Sequence, residues 1–294
     1  MSLRIAIHGK SFSADNRPLM EKLWQVLCEK PCEIVLSAYF KNHLKEHGFA
    51  VDNLASYEEK SGTPDHVQMA WSIGGDGTLL ETLTHIGAKE LPILGINTGR
   101  LGFLATLSPQ DVGAAVDQLI AGNYRIEDRT LVSVHSEIDL FDGKQFGLNE
   151  VGIMKTDTSS MIVIKAYVDG NYLNTYWADG LIVATPTGST GYNLSCNGPI
   201  LFPDSSSLVI TPVAPHNLNV RSIVVPDNNI ISFEVEGRAD QFICALDARR
   251  EIVPKTVQLA IRKEQFGVNL VRLNENTFLS TLRTKLTWGL DKRN

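Results

Sequence analysis

The chain has 294 residues, a formal net charge of −6, and 20% charged against 43% hydrophobic residues. This composition is typical of a folded globular protein with one large domain or two ordinary ones, and it excludes a disordered chain. Because no block of Lys or Arg offsets the negative charge, we expect no nucleic-acid partner. No apolar run approaches the roughly 20 residues of a membrane helix, so we expect no membrane partner.

The cysteines and the first residues bear on the cellular compartment. Cys28, Cys32, Cys196 and Cys244 form no pair or Cys/His cluster with zinc spacing. Isolated thiols suit a reducing environment. Residues 1–9 are typical of a first strand rather than of a signal peptide. These features predict a cytoplasmic protein.

Strand and helix patterns alternate along the first ~125 residues. Strands are predicted at 3–8, 32–38, 67–73 and 91–96, and helices at 18–29, 40–47, 78–86 and 109–120, the last with Ser108 as N-cap. This alternation predicts a doubly wound α/β domain over residues 1–125 with a mostly parallel sheet. Ligands of such domains bind beyond the carboxyl ends of the strands.

The pattern changes to short β segments over residues 126–265. Strands are predicted at 161–168, 172–177, 181–184, 208–210, 230–234 and 257–261, with a hairpin turn at Asp169-Gly170. We expect an all-β, antiparallel, sandwich-like domain. A helix predicted at 278–290 would pack back on the first domain, so residues 266–294 are assigned to that domain.

The densest signal is a turn between a buried strand and a helix, formed by Gly74, Gly75, Asp76, Gly77 and Thr78. Glycine has no Cβ to block a ligand, and a helix start offers N–H groups and a positive dipole end, so the turn predicts a phosphate site. A carboxylate repels phosphate, which suggests that Asp76 handles a hydroxyl proton or a metal ion during phosphoryl transfer. The alternative is that Asp76 only caps a helix starting at Gly77.

Three further segments carry polar groups suited to a ligand. A turn at 97–103 follows the next strand, and its Arg100 is either a phosphate contact or a loop cation. Asn149-Glu150 is either a β-turn or a site for a base edge and a ribose or metal. Residues 179–195 run from a strand into a loop of small and hydroxyl residues, where Tyr192 offers a face for stacking or packing.

Together these motifs resemble the NAD kinase family. The resemblance rests on GGDGT, then NE, then DGxxxxTPTGSTxY with a Ser three residues after the Tyr, in matching order and spacing over nearly the whole chain. It implies transfer of the γ-phosphoryl group of ATP to the 2′-hydroxyl of the adenosine ribose of NAD. It also implies Mg²⁺ or another divalent cation bound with ATP, and a homodimer or homotetramer.

The resemblance also implies roles for individual residues. Asp76 would take the proton from the hydroxyl, and Gly74, Gly75, Gly77 and Thr78 would hold phosphates. Asn149 would bind adenine, and Glu150 would lie near the ribose or metal. Thr190, Gly191, Tyr192 and Ser195 would line the adenine and ribose pocket, His216 would lie near the site, and Asp179 would reach the nicotinamide end from a neighbouring subunit. Otherwise Asp179 is a solvated turn residue and His216 a structural hydrogen-bonding group.

The chain departs from the family pattern at three positions. Gly191 stands where alanine is usual, Trp177 where a basic residue is frequent, and Arg249 where a DGQ-like motif has glutamine. Because of the Trp177 departure, the preference between NAD and NADH stays open. The sequence also leaves open whether ATP or polyphosphate is the phosphoryl donor. Two other functions compete with NAD kinase: a lipid or sugar kinase of the same superfamily, and a dinucleotide-binding sensor without catalytic activity.

Overall fold

The computed structural model describes residues 2–12, 16–99, 102–156, 160–273 and 277–288. The chain divides into two compact units. Unit 1 comprises Met1–Asp128 and Val268–Asn294, and unit 2 comprises Arg129–Gly267.

Helices and strands are numbered here in chain order over the described residues. The α-helices are α1 Arg17–Glu29, α2 Ala38–Glu46, α3 Asp76–Ile86, α4 Val112–Ile120, α5 Tyr192–Ser195 and α6 Phe278–Leu286. The strands are β1 Leu3–Gly9, β2 Cys32–Ser37, β3 Ala55–Tyr57, β4 Met69–Gly74, β5 Ile93–Asn97, β6 Arg125–His135, β7 Phe146–Gly147, β8 Glu150–Lys155, β9 Ile162–Val168, β10 Asn171–Ala178, β11 Gly180–Ala184, β12 Ser207–Val213, β13 Ile223–Pro226, β14 Ile231–Glu236, β15 Gln241–Leu246, β16 Arg249–Pro254 and β17 Leu259–Arg272.

Unit 1 is built on a parallel sheet with strand order β3-β2-β1-β4-β5. Its central strands are buried along most of their length, which explains their continuous apolar runs. The chain leaves β1 first to one side, toward β2 and β3, and then returns to its other side with β4 and β5. The strand order therefore reverses between β1 and β4, and an α/β sheet binds its ligands beyond the carboxyl ends of the strands at such a point.

Amphipathic helices cover this sheet. Helix α1 has a proline in its first turn and buries Met20, Leu23, Trp24 and Leu27 at helical spacing. Helix α4 is preceded by a 3₁₀ turn at Pro109–Asp111, and the Ser108 hydroxyl caps that turn by accepting a hydrogen bond from Gln110 N. Helix α6 belongs to unit 1, where Leu282 is buried and the Lys285 ammonium lies 5.8 Å from the Phe103 ring centre.

Unit 2 consists of antiparallel β-sheets. One has the strand order β13-β12-β11-β8-β15-β16. In the other, β10 pairs with β9, β9 with β14, and β14 with the first residues of β17. One core contains apolar residues of both sheets, among them Val151, Ile164, Phe233 and Phe242. The β9–β10 hairpin turns at Asp169 and Gly170, whose φ angles of +49° and +77° suit the predicted Asp-Gly turn.

The fold class predicted from the sequence is confirmed: an N-terminal α/β domain, a β domain of antiparallel sheets and a C-terminal helix. Periodicity missed β3, β6, β7, β8, β13, β15 and β16, and it predicted only the start of the 14-residue strand β17. The predicted helix at 278–290 ends at Leu286, and residues 289 and 290 lie outside the described residues. No helix in the described ranges has the length and apolar character needed to cross a membrane.

Candidate active site

The glycine-rich turn of unit 1 joins β4 to α3 at the point where the strand order reverses. A Cβ on Gly74 would lie 2.2 Å from the Thr78 hydroxyl, so only glycine fits there. Gly75 is the N-cap of α3, and no described side chain caps the helix. Gly77 is exposed, and a Cβ there would meet no described atom within 4 Å. The first N–H groups of α3 therefore face an open approach, which suits a phosphate.

Asp76 is the first residue of α3, and its carboxylate binds a neighbouring loop. It accepts hydrogen bonds from the backbone N–H groups of Phe103 at 2.8 Å, Leu104 at 3.1 Å and Ala105 at 3.0 Å. A Cβ on Gly102 would lie 1.9 Å from Asp76 Oδ1, so this glycine lets the loop reach the carboxylate. The capping interpretation of Asp76 is thus wrong, because the side chain turns away from its own helix start and is held by the loop.

The loop that holds Asp76 begins at the end of β5. Thr98 N donates to Gly74 O at 3.0 Å, which joins the two turns directly. The Asn97 side chain shapes the loop, because its Oδ1 accepts from Gly99 N at 2.8 Å and its Nδ2 donates to Ala105 O at 3.2 Å. The two glycine-bearing turns therefore lie side by side. Arg100 and Leu101 lie outside the described residues, so the structure gives no position for the Arg100 side chain.

The predicted ligand residues of unit 2 gather around the start of β8. The Asp247 carboxylate accepts from the backbone N–H groups of Leu148 at 2.8 Å, Asn149 at 2.8 Å and Glu150 at 3.2 Å. In return Asp247 N donates to Glu150 O at 3.0 Å. The Asp247 carboxylate thus fixes the backbone of the Asn149-Glu150 turn. The bonding resembles that of Asp76, whose carboxylate also accepts three backbone N–H bonds, there from residues 103–105.

Glu150 is placed where its charged form is disfavoured. It is partly buried, and its Oε2 has no hydrogen-bond partner among the described residues. Burial, and after it the charge of Asp247, raises the pKa of Glu150 to about 8. The carboxyl group is therefore largely protonated at neutral pH, and it can donate a hydrogen bond to a hydroxyl or a ring nitrogen.

The small-residue loop after β11 packs directly on Asn149. A Cβ on Gly188 would lie 2.0 Å from Asn149 O, so only glycine allows this contact. The Thr185 hydroxyl donates to Leu148 O at 2.5 Å and accepts from Gly188 N at 3.1 Å. The first bond joins the loop to the residue before Asn149, and the second closes the loop on itself. Together they hold the loop against the Asn149 turn.

Buried hydroxyl and amide groups hold the rest of this loop. The Ser189 hydroxyl donates to Pro186 O at 2.6 Å, and Asn193 Nδ2 donates to Ser189 O at 3.0 Å. Asn193 is fully buried, and its Oδ1 accepts from the Thr211 hydroxyl at 2.6 Å. Ser189 and Asn193 therefore serve the shape of the loop.

Four predicted ligand residues of this loop stay accessible. Tyr192 and Ser195 are exposed, and Thr190 and Gly191 are partly exposed. A Cβ on Gly191 would lie 3.3 Å from Glu150 Oε2, which places this backbone beside the protonated carboxyl. The structure thus brings together Asn149, Glu150 and the 188–195 loop within unit 2.

Asp179 directly precedes β11, and His216 contacts β10. Asp179 forms an ion pair with Lys155 at 2.6 Å, and its side chain is 39% exposed. His216 is exposed, and its backbone N–H donates to Trp177 O at 2.8 Å. The Trp177 side chain is itself 50% exposed. The role predicted for Asp179 involves another subunit, so it stays a prediction.

The sequence did not predict that Asp247 and Asn193 would hold the candidate site in shape. Asp247 holds the Asn149 turn although 97 or more residues separate it from the groups it binds. Asn193 anchors the glycine-rich loop, although its position inside the motif was the only available signal. Both act through contacts that tertiary folding creates.

Comparison with known proteins identifies the family. Residues 5–124 match the profile of the ATP-NAD kinase N-terminal domain, and residues 148–273 match that of the ATP-NAD kinase C-terminal domain. The chain is 46% identical over 292 residues to an NAD kinase of Cytophaga hutchinsonii, an alignment that covers 98% of this chain and 99% of that protein. The chain belongs to the NAD kinase family.

Other members and solved structures agree with this assignment. An NAD kinase of Flavobacterium psychrophilum is 41% identical over 294 residues, which cover 99% of this chain and all of that protein. The crystal structure of an NAD kinase from Archaeoglobus fulgidus in complex with ATP has a TM-score of 0.72 and 25% identity, and covers 97% of this chain and 99% of that one. Yeast NADH kinase complexed with NADH has the same fold, with a TM-score of 0.86 at 19% identity and coverage of 99% and 89%.

Within this family pattern, the structure gives one departure a structural role. The Arg249 guanidinium donates to Lys144 O at 2.5 Å and to Phe146 O, and it lies 5.4 Å from the Phe141 ring centre. Arg249 therefore ties its hairpin to the segment before Asn149. Asp247, two residues earlier, retains the acid of the DGQ-like motif and holds the Asn149 turn.

Proposed function

We propose that this chain transfers the γ-phosphoryl group of ATP to the 2′-hydroxyl of the adenosine ribose of NAD, giving NADP. The observation that carries the proposal is the match of both domains to the NAD kinase family over almost the whole chain. The Archaeoglobus fulgidus NAD kinase, which shares the fold, was crystallised in complex with ATP, and this supports ATP as the donor.

The chemistry proposed for unit 1 divides between Asp76 and the start of α3. The ribose 2′-oxygen attacks the γ-phosphorus, the bond to the bridging oxygen of ADP breaks, and the hydroxyl proton passes to the Asp76 carboxylate. The three backbone N–H groups that hold this carboxylate orient it for the transfer. The N–H groups at the start of α3 bind phosphate oxygens and offset their negative charge.

A divalent cation, Mg²⁺ or a similar ion, would bind with the triphosphate of ATP. Mg²⁺ retains several waters and is usually held by phosphates with only one or two protein carboxylates. The turn fits this mode, because Asp76 is its only carboxylate and the phosphates would supply most of the other ligands. When bound, the cation neutralises charge that develops on the phosphates.

Unit 2 supplies recognition of the acceptor in this proposal. The Asn149 amide binds the adenine edge, and the protonated Glu150 donates to a ribose or base acceptor. Exposed Tyr192 offers a ring face, with Thr190 and Ser195 as hydroxyl partners. Asp179 would meet the nicotinamide end from a neighbouring subunit of a cytoplasmic homodimer or homotetramer. Light scattering of the purified protein would test that assembly.

A steady-state assay tests the function directly. NAD and NADH are each offered with ATP or inorganic polyphosphate, with Mg²⁺ present, and formation of the 2′-phosphorylated product is measured. We expect ATP-dependent formation of NADP. Phosphorylation of a diacylglycerol or of fructose 6-phosphate without any NADP would identify a lipid or sugar kinase instead. Binding of NAD without turnover under any donor would identify a sensor.

A further inference from the structure

Two histidines and a glutamate meet inside unit 1 beside the glycine-rich turn. His8 lies near the carboxyl end of β1, and Glu81 and His85 lie one helical turn apart on α3. One potential ligand atom from each side chain lies within 4.8 Å of the other two. His8 Nε2 and Glu81 Oε1 are 3.5 Å apart. The cluster occupies the position between β1 and α3 where the sheet order reverses.

The second nitrogen of each histidine is bound by a buried hydroxyl. His8 Nδ1 lies 2.8 Å from the Ser37 hydroxyl, and His85 Nδ1 lies 3.2 Å from the Tyr57 hydroxyl. Metal-binding histidines nearly always have such a partner on the nitrogen that does not bind the metal, because it fixes the ring and the tautomer. If Nδ1 of each ring carries the proton, both Nε2 atoms present a lone pair to the cluster.

His8 supplies an independent sign that a ligand belongs there. The residue is 1% exposed, and its Nε2 makes no hydrogen bond of normal geometry in the described part of the chain, where it faces Glu81 Oε1 at 3.5 Å. A buried polar atom without a partner is costly, and native structures rarely retain one without a reason. This Nε2 is the same atom that faces Glu81. A cation between them would satisfy it.

From this geometry we propose that His8, Glu81 and His85 form a site for a divalent transition metal of the zinc class. Zinc binds imidazole nitrogen and carboxylate oxygen at about 2.0–2.2 Å in a tetrahedron, so neighbouring ligand atoms lie about 3.4 Å apart. The His8–Glu81 separation already has this value, and small side-chain rotations would bring His85 to it. Water would complete the fourth position. Bound metal would fasten β1 to α3, the helix that Asp76 begins.

Lys10 provides a further test of the site, because it contacts the other carboxylate oxygen of Glu81. Its ammonium lies 2.8 Å from Glu81 Oε2, and its side chain is 51% exposed. The metal and the ammonium therefore share Glu81 and repel each other. Replacing Lys10 with methionine removes this competing charge at an accessible position, so the variant should bind the metal more tightly.

The test uses the purified full chain stripped of metal and titrated with Co²⁺ and then Zn²⁺. We expect one Co²⁺ per chain with the visible absorption of a four-coordinate ion, displaced by Zn²⁺. Calorimetry should show binding tightened in Lys10→Met and weakened in Glu81→Gln and His85→Gln by at least about tenfold, the lower end of what loss of a group that merely supports a metal ligand costs. Absence of this Co²⁺ spectrum from the wild-type protein would overturn the proposal.

Controls separate a built site from adventitious binding and from misfolding. His43 on α2 and His47, the C-cap of that helix, form another histidine pair four residues apart, with ring centres 4.2 Å apart. His47→Gln should leave the titration unchanged, and loss of binding in this variant instead would refute the assignment. Glu81→Gln replaces one atom at a 34% exposed side chain, and circular dichroism checks its fold. Wild-type affinity in folded Glu81→Gln would likewise refute it.

Discussion

Because the Glu150 carboxyl is protonated in the folded chain, we expect the free energy of unfolding to fall as the pH rises. Burial and the charge of Asp247 raise its pKa from the ordinary 4.5 to about 8. Between these values the folded chain holds a proton that the unfolded chain has released, so stability is fully present below about pH 4.5 and is lost as the pH rises toward 8. Glu150→Gln keeps the shape of the protonated group and has no proton to lose.

The magnitude follows from the size of the pKa change. Each pH unit inside this window corresponds to about 1.4 kcal/mol, and the whole window to about 5 kcal/mol. Because Glu150 is partly exposed to solvent, this figure is an upper limit. The free energy of unfolding of Glu150→Gln should therefore exceed that of the parent by a margin that grows from about pH 5 to pH 8 and then becomes constant.

Urea unfolding at a series of pH values measures this margin. Taking the difference between variant and parent cancels the titration of every group that the two proteins share. Glu137→Gln, at an exposed loop position, controls for the loss of one carboxylate and should show no such growth. A constant difference between Glu150→Gln and the parent across the window would refute the protonated state of Glu150.

The remaining predictions concern Asp76 and Asp247, whose carboxylates each accept three hydrogen bonds from backbone N–H groups. Asp76→Asn should keep NAD binding and lower turnover at least about a hundredfold, measured as kcat and as NAD affinity; near-normal turnover would contradict its role as proton acceptor. Gly102→Ala puts a Cβ 1.9 Å from Asp76 and should lower kcat at least about tenfold, whereas Gly99→Ala, whose Cβ would meet only Asn97 at 3.9 Å, should leave kcat unchanged. Asp247→Asn should raise the KM for NAD and lower the free energy of unfolding by about 2–4 kcal/mol, measured with urea. The reason is that an amide cannot replace a carboxylate that accepts three N–H bonds. An unchanged KM would disprove the role of Asp247 in holding Asn149.

Local patterns in the sequence determined the fold class and most helices of unit 1. Apolar residues at helical spacing predicted α1, and continuous apolar runs predicted β1 and β4, because burial on one face or on both leaves these periods in the sequence. The same reasoning missed β15 and β16. Buried residues alternate with less buried ones in β15, but the latter include the apolar Ile243 and Ala245, and β16 begins with three charged residues. Neither sequence therefore alternates between polar and apolar residues, and pairing partners determine their structure.

The local motifs of the candidate site were also predictable from the sequence. The motifs themselves indicated a phosphate turn, an acid within it, an amide-acid pair and a loop of small residues, because each is a local arrangement with a recognisable composition. The sequence alone allowed Asp76 to be a helix cap. Only the folded loop at 103–105 shows where its carboxylate binds.

Tertiary structure decided what distant residues do to one another. Asp247 binds the Asn149 turn and helps to raise the pKa of Glu150, and His8 meets Glu81 across 73 positions of chain. Spacing rules for zinc sites find ligands that lie close in sequence, so they could not reveal a cluster that β1 and α3 bring together. Local composition thus specified the elements and the chemistry of each turn, whereas the protonation, support and grouping of side chains depend on contacts that exist only after the chain has folded.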